Sequence, residues 1–138
     1  MKTIIHGSKS IQDYQVICDA IQSSGFTPTA ILTTQDSGPP IFGYRWAMSQ
    51  TPKIPVQVYR ANWNSLGKPA GIICHREMAT YADAAVLIWD GSKEDWMTPA
   101  LRQYCKGLDP VCRVHFITHV HAATPSTTVQ QGRFESNA

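Results

Sequence analysis

Short β-branched runs and stretches of helically spaced apolar residues alternate along this chain. Residues 2–6 form a β-branched run that Gly7 ends, and apolar residues from Ile11 follow helical spacing until Gly25. The pattern predicts four further strands and three further helices in alternation. The strands are predicted at Thr29–Thr33, Pro55–Ala61, Ala84–Trp89 and Val111–Thr118. One helix is predicted from Ile41 to about Ser49, one from within residues 67–78 to near Ala82, and one through Met97, Leu101, Tyr104 and Leu108.

The run Ala84–Trp89 is the most continuous apolar stretch in the chain, which is typical of a central parallel strand covered on both faces. Alternating strands and helices predict a Rossmann-like, doubly wound α/β fold with a five-stranded, mainly parallel sheet and helices on both faces. We assign residues 1–120 to this single domain. Residues 121–138 are rich in Thr, Ser, Gln and Gly without periodicity, and we expect a flexible tail.

The composition of the chain argues against several classes of protein. The 138 residues are 43% hydrophobic without a membrane-spanning run, and 12 Lys+Arg against 10 Asp+Glu do not indicate a surface for long nucleic acid. The first ten residues are too polar for a secretion signal, so we expect a cytoplasmic protein. The four cysteines show no CxxC pairing and predict small buried side chains rather than a zinc site or a disulfide framework.

The loops that follow the strands are the predicted ligand site, because ligands of such sheets bind beyond the carboxyl ends of the strands. These loops cover residues 7–10, 35–40, 62–71 and 90–95. The third loop leads into "GKPAGIICHREM", where glycines at a predicted helix start cost backbone entropy and suggest a close approach to the backbone.

Helix N-termini attract anions. An acidic side chain near the start of a helix takes the place of a bound anion, so a helix without such an acid is open to one. The first helix, after Gly7, Ser8 and Lys9, meets no carboxylate before Asp13, so we expect it to be open to a phosphate. The third helix follows Gly67 and Lys68, contains Gly71 and meets its first acid at Glu77. For both helices, the alternative to phosphate binding is ordinary capping of the first turn.

The fourth helix is expected to exclude phosphate. Ser92 and Asp95 form a variant of the capping box, and Glu94 adds a second negative charge. Asp90, at the end of a rigid strand, is placed to act as a base or to bind a ribose hydroxyl, although an Asp-Gly turn explains it equally.

Several other side chains allow two interpretations. Trp63 stacks on a ligand or closes the edge of the core, and of His75 and Arg76 one must face solvent. His115, His119 and His121 share one face of a strand and its exit, for which we favour an exposed edge over a metal site.

The motifs resemble the SLOG superfamily, which includes the LOG enzymes and the DNA-processing protein DprA, and most closely its YspA-related branch. The resemblance covers residues 4 to about 117 and is carried by "HGSKSIQDY", "RWA" at 45–47, "ANW" at 61–63 and "GKPAGIICHREMATYADAAVLIWDG" at 67–91. It implies that loops around Gly7, Ser8 and Lys9, and around Gly91 and Ser92, bind nucleotides or molecules derived from them.

Family motifs of catalysis are altered. The glycine-rich loop after strand two is replaced by residues 34–40 with one glycine, Cys74-His75 stands where Arg-Asn is usual, and Lys93-Glu94-Asp95 replaces the usual Gly-Thr. These departures favour binding without turnover.

We therefore predict a binder of a small nucleotide-derived ligand, such as an ADP-ribose derivative or a cyclic nucleotide, with no further cofactor and no metal. It would sense or sequester that ligand, for instance as a phage protein against a host immune signal, and the resemblance implies a homodimer or higher homo-oligomer. The alternatives are a LOG-like nucleotide N-glycosidase with Asp90 or Glu94 as its acid, and a protein-interaction module that retains only the scaffold.

Overall fold

A computed structural model describes residues 1–34, 36–61, 67, 69–119 and the backbone of 135–136. Its helices and strands alternate along the chain in the predicted order. They are β1 (Lys2–Gly7), α1 (Tyr14–Ser24), β2 (Ala30–Thr33), α2 (Pro39–Ser49), β3 (Val56–Val58), α3 (Ala70–Tyr81), β4 (Ala84–Trp89), α4 (Met97–Lys106), β5 (Arg113–Thr118) and β6 (Glu135–Ser136).

Five parallel strands form the sheet in the order β3-β2-β1-β4-β5, which confirms the predicted Rossmann-like α/β fold. β6 adds a two-residue antiparallel strand beside β5, with Ser136 opposite Ile117. The rest of 121–138 lies outside the described residues, so the predicted flexibility of the tail stays a prediction. None of the described helices is long and apolar enough to cross a membrane.

Alternate residues of each strand point into two separate cores, so helices cover both faces of the sheet. On one face Ile5 and Val86 pack with Ile17 of α1 and Ala47 of α2. On the other face, Ile4 and Leu87 pack with Met78 of α3 and Leu101 of α4. The central position of β4 between β1 and β5 explains its continuous apolar sequence.

The start of the first helix is a correction. Helical spacing predicted a helix from Ile11, but α1 begins at Tyr14 and Ile11 is a fully buried loop residue whose amide donates to the carbonyl of Ser8. Spacing alone does not separate a buried loop anchor from a first helical turn.

The predicted exposure of the histidine face on β5 was wrong for its two described members. His115 and His119 are both 7% exposed, and Nε2 of His115 is 2.9 Å from the hydroxyl of Ser23 on α1. Ser23 of α1 therefore covers His115, while the amide of His119 donates to the carbonyl of Trp89 on β4. His121 lies outside the described residues.

The cysteines pack as predicted from their spacing. Cys74, Cys105 and Cys112 are buried, Cys18 is half-buried, and all four are free thiols.

Candidate functional site

A cavity of about 700 Å³ opens at the carboxyl edge of the sheet, where β1 and β4 lie side by side. The chain runs outward from β1 to β2 and β3, then returns to β4 on the other side, so the strand order reverses between β1 and β4. Ligands of open α/β sheets bind at such a switch point. Six residues of the predicted site line the cavity: Gly7, Lys9, Gly71, His75, Asp90 and Ser92.

The other predicted site residues fall elsewhere. Ser8 is 1% exposed, and Gly67 and Gly91 are not among the described residues that line the cavity. Both glycines have left-handed backbone conformations, with φ of 65° and 82°. An added Cβ on Gly67 would meet nothing within 4 Å, so backbone conformation explains this glycine without a ligand. Trp63 and Lys68 lie outside the described residues.

The amide of Ser8 does not hold an anion, which corrects the expectation for this loop. Its N–H donates to the carbonyl of Ile88 at 2.9 Å and so extends the pairing of β1 with β4. The Ser8 hydroxyl donates to Asp95 at 2.5 Å and accepts from the amide of Asp90 at 2.9 Å. Ser8 is therefore a structural bridge between two strands and the loop that follows β4.

The first helix is not open to a phosphate, a second correction at this end of the site. Asp13 is its N-cap residue and accepts a hydrogen bond from the amide of Gln15 at 3.0 Å. The carboxylate of Asp13 already occupies the place that an anion would take.

The fourth helix does supply its own anion. Asp95 caps it directly, whereas Ser92 contributes less than the predicted variant of the capping box implies. The carboxylate of Asp95 accepts from the amide of Thr98 at 3.1 Å and from its hydroxyl at 2.6 Å. Ser92 supports this turn only through a long 3.4 Å hydrogen bond from the amide of Asp95. Asp95 is therefore the carboxylate at the start of α4 that we expect to repel a phosphate.

Asp90 combines turn chemistry with a place on the cavity wall. Its carboxylate accepts from the Ser10 hydroxyl and from the Ser92 amide, both at 2.8 Å. Burial alone would raise its pKa, but the hydrogen bonds from Ser92, Ser10 and Ser8 together hold the pKa below its ordinary value. Asp90 is thus an ionised acceptor beside the cavity.

The third helix has no anion of its own among the described residues. Pro69 precedes α3 without a side-chain cap, and its first turn contains no acid. Gly71, in that turn, is buried and lines the cavity.

The question of His75 or Arg76 is settled in favour of His75. His75 is 8% exposed, whereas Arg76 lies on the outside of α3. A ring nitrogen, Nδ1, lies 2.6 Å from the carbonyl of Gly71 and must donate, since a carbonyl only accepts. The other ring nitrogen, Nε2, is buried and has no hydrogen-bond partner among the described residues.

His6 is a site residue that the sequence analysis missed. It is the next-to-last residue of β1, lines the cavity and is 5% exposed, with a buried Nδ1 that has no hydrogen-bond partner among the described residues. Burial, with a smaller contribution from His75, lowers the pKa of His6 to about 3, so the ring is neutral. Its position at the carboxyl end of a strand at the switch point was the available signal.

Acidic residues outnumber basic ones around the cavity, which the sequence analysis did not foresee. Asp36, Glu94 and Asp95 line it together with Asp90, while Lys9 is the cation among the described lining residues. Asp36 and Ser37 belong to the loop 35–40, which the fold rule had selected, and Ser10 and Met97 complete the unforeseen lining. The described residues contain no group of three or more His, Cys, Asp or Glu suited to a metal ion.

These features define an α/β protein of Rossmann-like architecture with an acceptor-rich cavity at its switch point. Comparison with protein-family models, with curated proteins and with solved structures finds no match to this chain.

Proposed function

We propose that this protein binds a small nucleotide-derived ligand in the switch-point cavity without turning it over. The observation that carries the proposal is the cavity itself, together with two imidazoles on its wall that each have a buried nitrogen without a hydrogen-bond partner among the described residues. Buried polar atoms are nearly always satisfied, so His6 and His75 indicate a partner that arrives with a ligand. The resemblance to the SLOG superfamily supports a nucleotide-derived one.

The carboxylates suit the sugar of such a ligand. Asp90 and Asp95 carry carboxylates that accept hydrogen bonds, and a ribose presents hydroxyl donors. A phosphate belongs away from them, near Lys9 and the uncapped start of α3 at Gly71. Roles for Lys68 in neutralising phosphate and Trp63 in stacking stay predictions.

In this proposal the ligand is an ADP-ribose derivative or a cyclic nucleotide that the protein senses or sequesters. A phage origin, with the protein absorbing a host immune signal, follows from the resemblance alone. Cytoplasmic localisation and a homodimer or higher homo-oligomer rest on the sequence and are part of the same proposal.

Calorimetry with a panel of ADP-ribose derivatives and cyclic nucleotides tests the proposal. Asp90→Asn should weaken binding about tenfold or more, because hydrogen bonds to a charged group contribute about 1.5–3 kcal/mol. Asp109→Asn is the matched control, since Asp109 is exposed, follows α4 and lies outside the cavity. The absence of binding across the panel would contradict the proposal.

A LOG-like N-glycosidase is the second candidate, favoured by the ionised state of Asp90. A carboxylate beside the cavity stabilises the positive charge that develops on a ribosyl group as its bond to a base breaks. This state suits charge stabilisation rather than the acid role that sequence analysis considered for Asp90. Incubation with nucleoside monophosphates should then release free base, and Asp90→Asn should abolish the release. Intact nucleotides after prolonged incubation would contradict this candidate.

A further inference from the structure

A second, smaller cavity of about 120 Å³ lies between α3 and α4, apart from every loop that the sequence analysis selected. Its walls are largely apolar and aromatic: Ile72 comes from α3, Leu101 and Tyr104 come from α4, and Trp96 stands immediately before α4. The Trp96 side chain is 55% exposed. Large aromatic side chains beside a cavity offer flat surface on which another ring can pack.

This cavity continues the candidate site. His75 and Met97 each line both the small cavity and the switch-point cavity. The two cavities therefore meet at His75 and Met97, and the wall of the small cavity is largely apolar.

Size and chemistry restrict what the small cavity accepts. A water molecule takes up about 30 Å³ of liquid, so the volume suits a planar ring system but not a ring with its sugar attached. Arg76 also lines the small cavity, but its guanidinium lies over the Tyr104 ring, 5.2 Å from the centroid, and the remaining wall is mainly apolar. Asp90 and Asp95 in the main cavity instead offer carboxylates to hydroxyl groups. The two cavities thus separate an aromatic part of a ligand from a hydroxyl-bearing part.

We propose that the cavity between α3 and α4 is the base subsite of the ligand, which rests on the proposed nucleotide-binding function. A planar heterocycle packs against Trp96 and the apolar wall, beside His75. The ribose then lies in the main cavity. This assigns Trp96 the stacking role that the sequence analysis gave to Trp63.

Two probe ligands distinguish binding in the base subsite from binding in the main cavity. AMP carries a base and ribose 5-phosphate lacks one, while both keep the sugar and the phosphate. Trp96→Ala should weaken the binding of AMP about tenfold, the scale expected for the loss of one stacking contact. The affinity for ribose 5-phosphate should stay unchanged. Tyr81→Ala is the matched control, because Tyr81 is 60% exposed at the end of α3 and lines neither cavity.

A second measurement does not depend on the folding of the variant. In the wild-type protein the indole N–H resonance of Trp96 should shift on addition of AMP and not of ribose 5-phosphate. Equal AMP affinity of Trp96→Ala and wild type, equal loss of both ligands in the variant, or an unmoved Trp96 resonance at saturating AMP would overturn the subsite while nucleotide binding stands. If wild type binds neither probe nor any member of the nucleotide panel, the proposed function is overturned and the subsite with it.

Discussion

The imidazole rings of His6 and His75 meet edge to face, with their centroids 4.6 Å apart and their planes at 77°. The contact joins the end of β1 to the first turns of α3 beside the cavity. A positive charge on His6 would be buried and would face a second imidazole, which explains the lowering of its pKa to about 3.

The buried neutral His6 should make stability depend on pH. Its pKa is 6.5 in the unfolded chain and about 3 in the folded protein, so between these values the unfolded state binds more protons and stability falls as pH falls. Above pH 6.5 the effect is absent. From pH 7.5 to pH 5 we expect His6 to lower the free energy of unfolding by about 2 kcal/mol, measured by urea denaturation at both pH values.

His6→Gln is the matched variant for this measurement, because it removes the titrating ring and keeps a polar side chain. The loss of stability between pH 7.5 and pH 5 should be smaller in the variant than in wild type. A remaining slope of the same sign is expected from His115, since burial also lowers its pKa. Identical slopes in variant and wild type would show that His6 is not the buried neutral group described.

Ser8→Ala should loosen the loop after β4 and raise the pKa of Asp90. The hydroxyl of Ser8 joins Asp95 to the amide of Asp90, so its removal leaves part-buried polar groups unpaired. We expect a destabilisation of about 1–3 kcal/mol and a higher Asp90 pKa in a carboxyl NMR titration. Ser37→Ala is the control, as Ser37 is an exposed lining residue. An unchanged Asp90 pKa in Ser8→Ala would contradict the bridge.

Gly7 is required by packing rather than by a ligand. A Cβ at this position would lie 2.2 Å from the carbonyl oxygen of Ile88 and 2.9 Å from Cγ of Pro39. Gly7→Ala should therefore destabilise the protein by about 1–3 kcal/mol or more. Gly107→Ala, whose Cβ would meet only ordinary contacts at 3.7 Å, should change the melting temperature little. Equal melting temperatures of the two variants would show that β1 and β4 separate freely at Gly7.

Hydrophobic pattern predicted the strands best where burial is most complete. β4 spans Ala84–Trp89, as predicted, because both its faces are covered and every position inside must be apolar. β3 was predicted over Pro55–Ala61 but spans only Val56–Val58. It pairs on one side with β2, and an edge strand has fewer neighbours to fix its ends.

The carboxyl edge of the sheet could be predicted from the sequence as the place of the site, but the chemistry of the cavity could not. The fold rule selected the loops that contain Lys9, Asp36 and Asp90. Whether an amide in those loops is free depends on a partner distant in sequence, as with Ser8 and the carbonyl of Ile88. Such pairing follows from the sheet register, which local spacing does not contain.

We expect the carboxylates among the described residues that line the cavity to disfavour ligands with several phosphate groups. Asp36, Asp90, Glu94 and Asp95 line it with Lys9, so each further phosphate brings negative charge towards an already acidic wall. If the protein binds adenine nucleotides as proposed, affinity should decrease from AMP to ADP to ATP in calorimetry. The decrease should shrink as salt is raised, because ions screen charges beyond a Debye length of about 8 Å at physiological ionic strength.

Glu94→Gln isolates the electrostatic cause of this order. Removal of one exposed negative charge from the wall should raise the affinity for ADP about two- to fivefold, in keeping with the modest strength of exposed charge pairs, and should raise the affinity for AMP less. Glu77→Gln, on the exposed face of α3 and outside the lining, is the control for a simple change in net charge. An affinity that instead rises from AMP to ATP would contradict this explanation, because it would mean that the added phosphates do not approach the carboxylates.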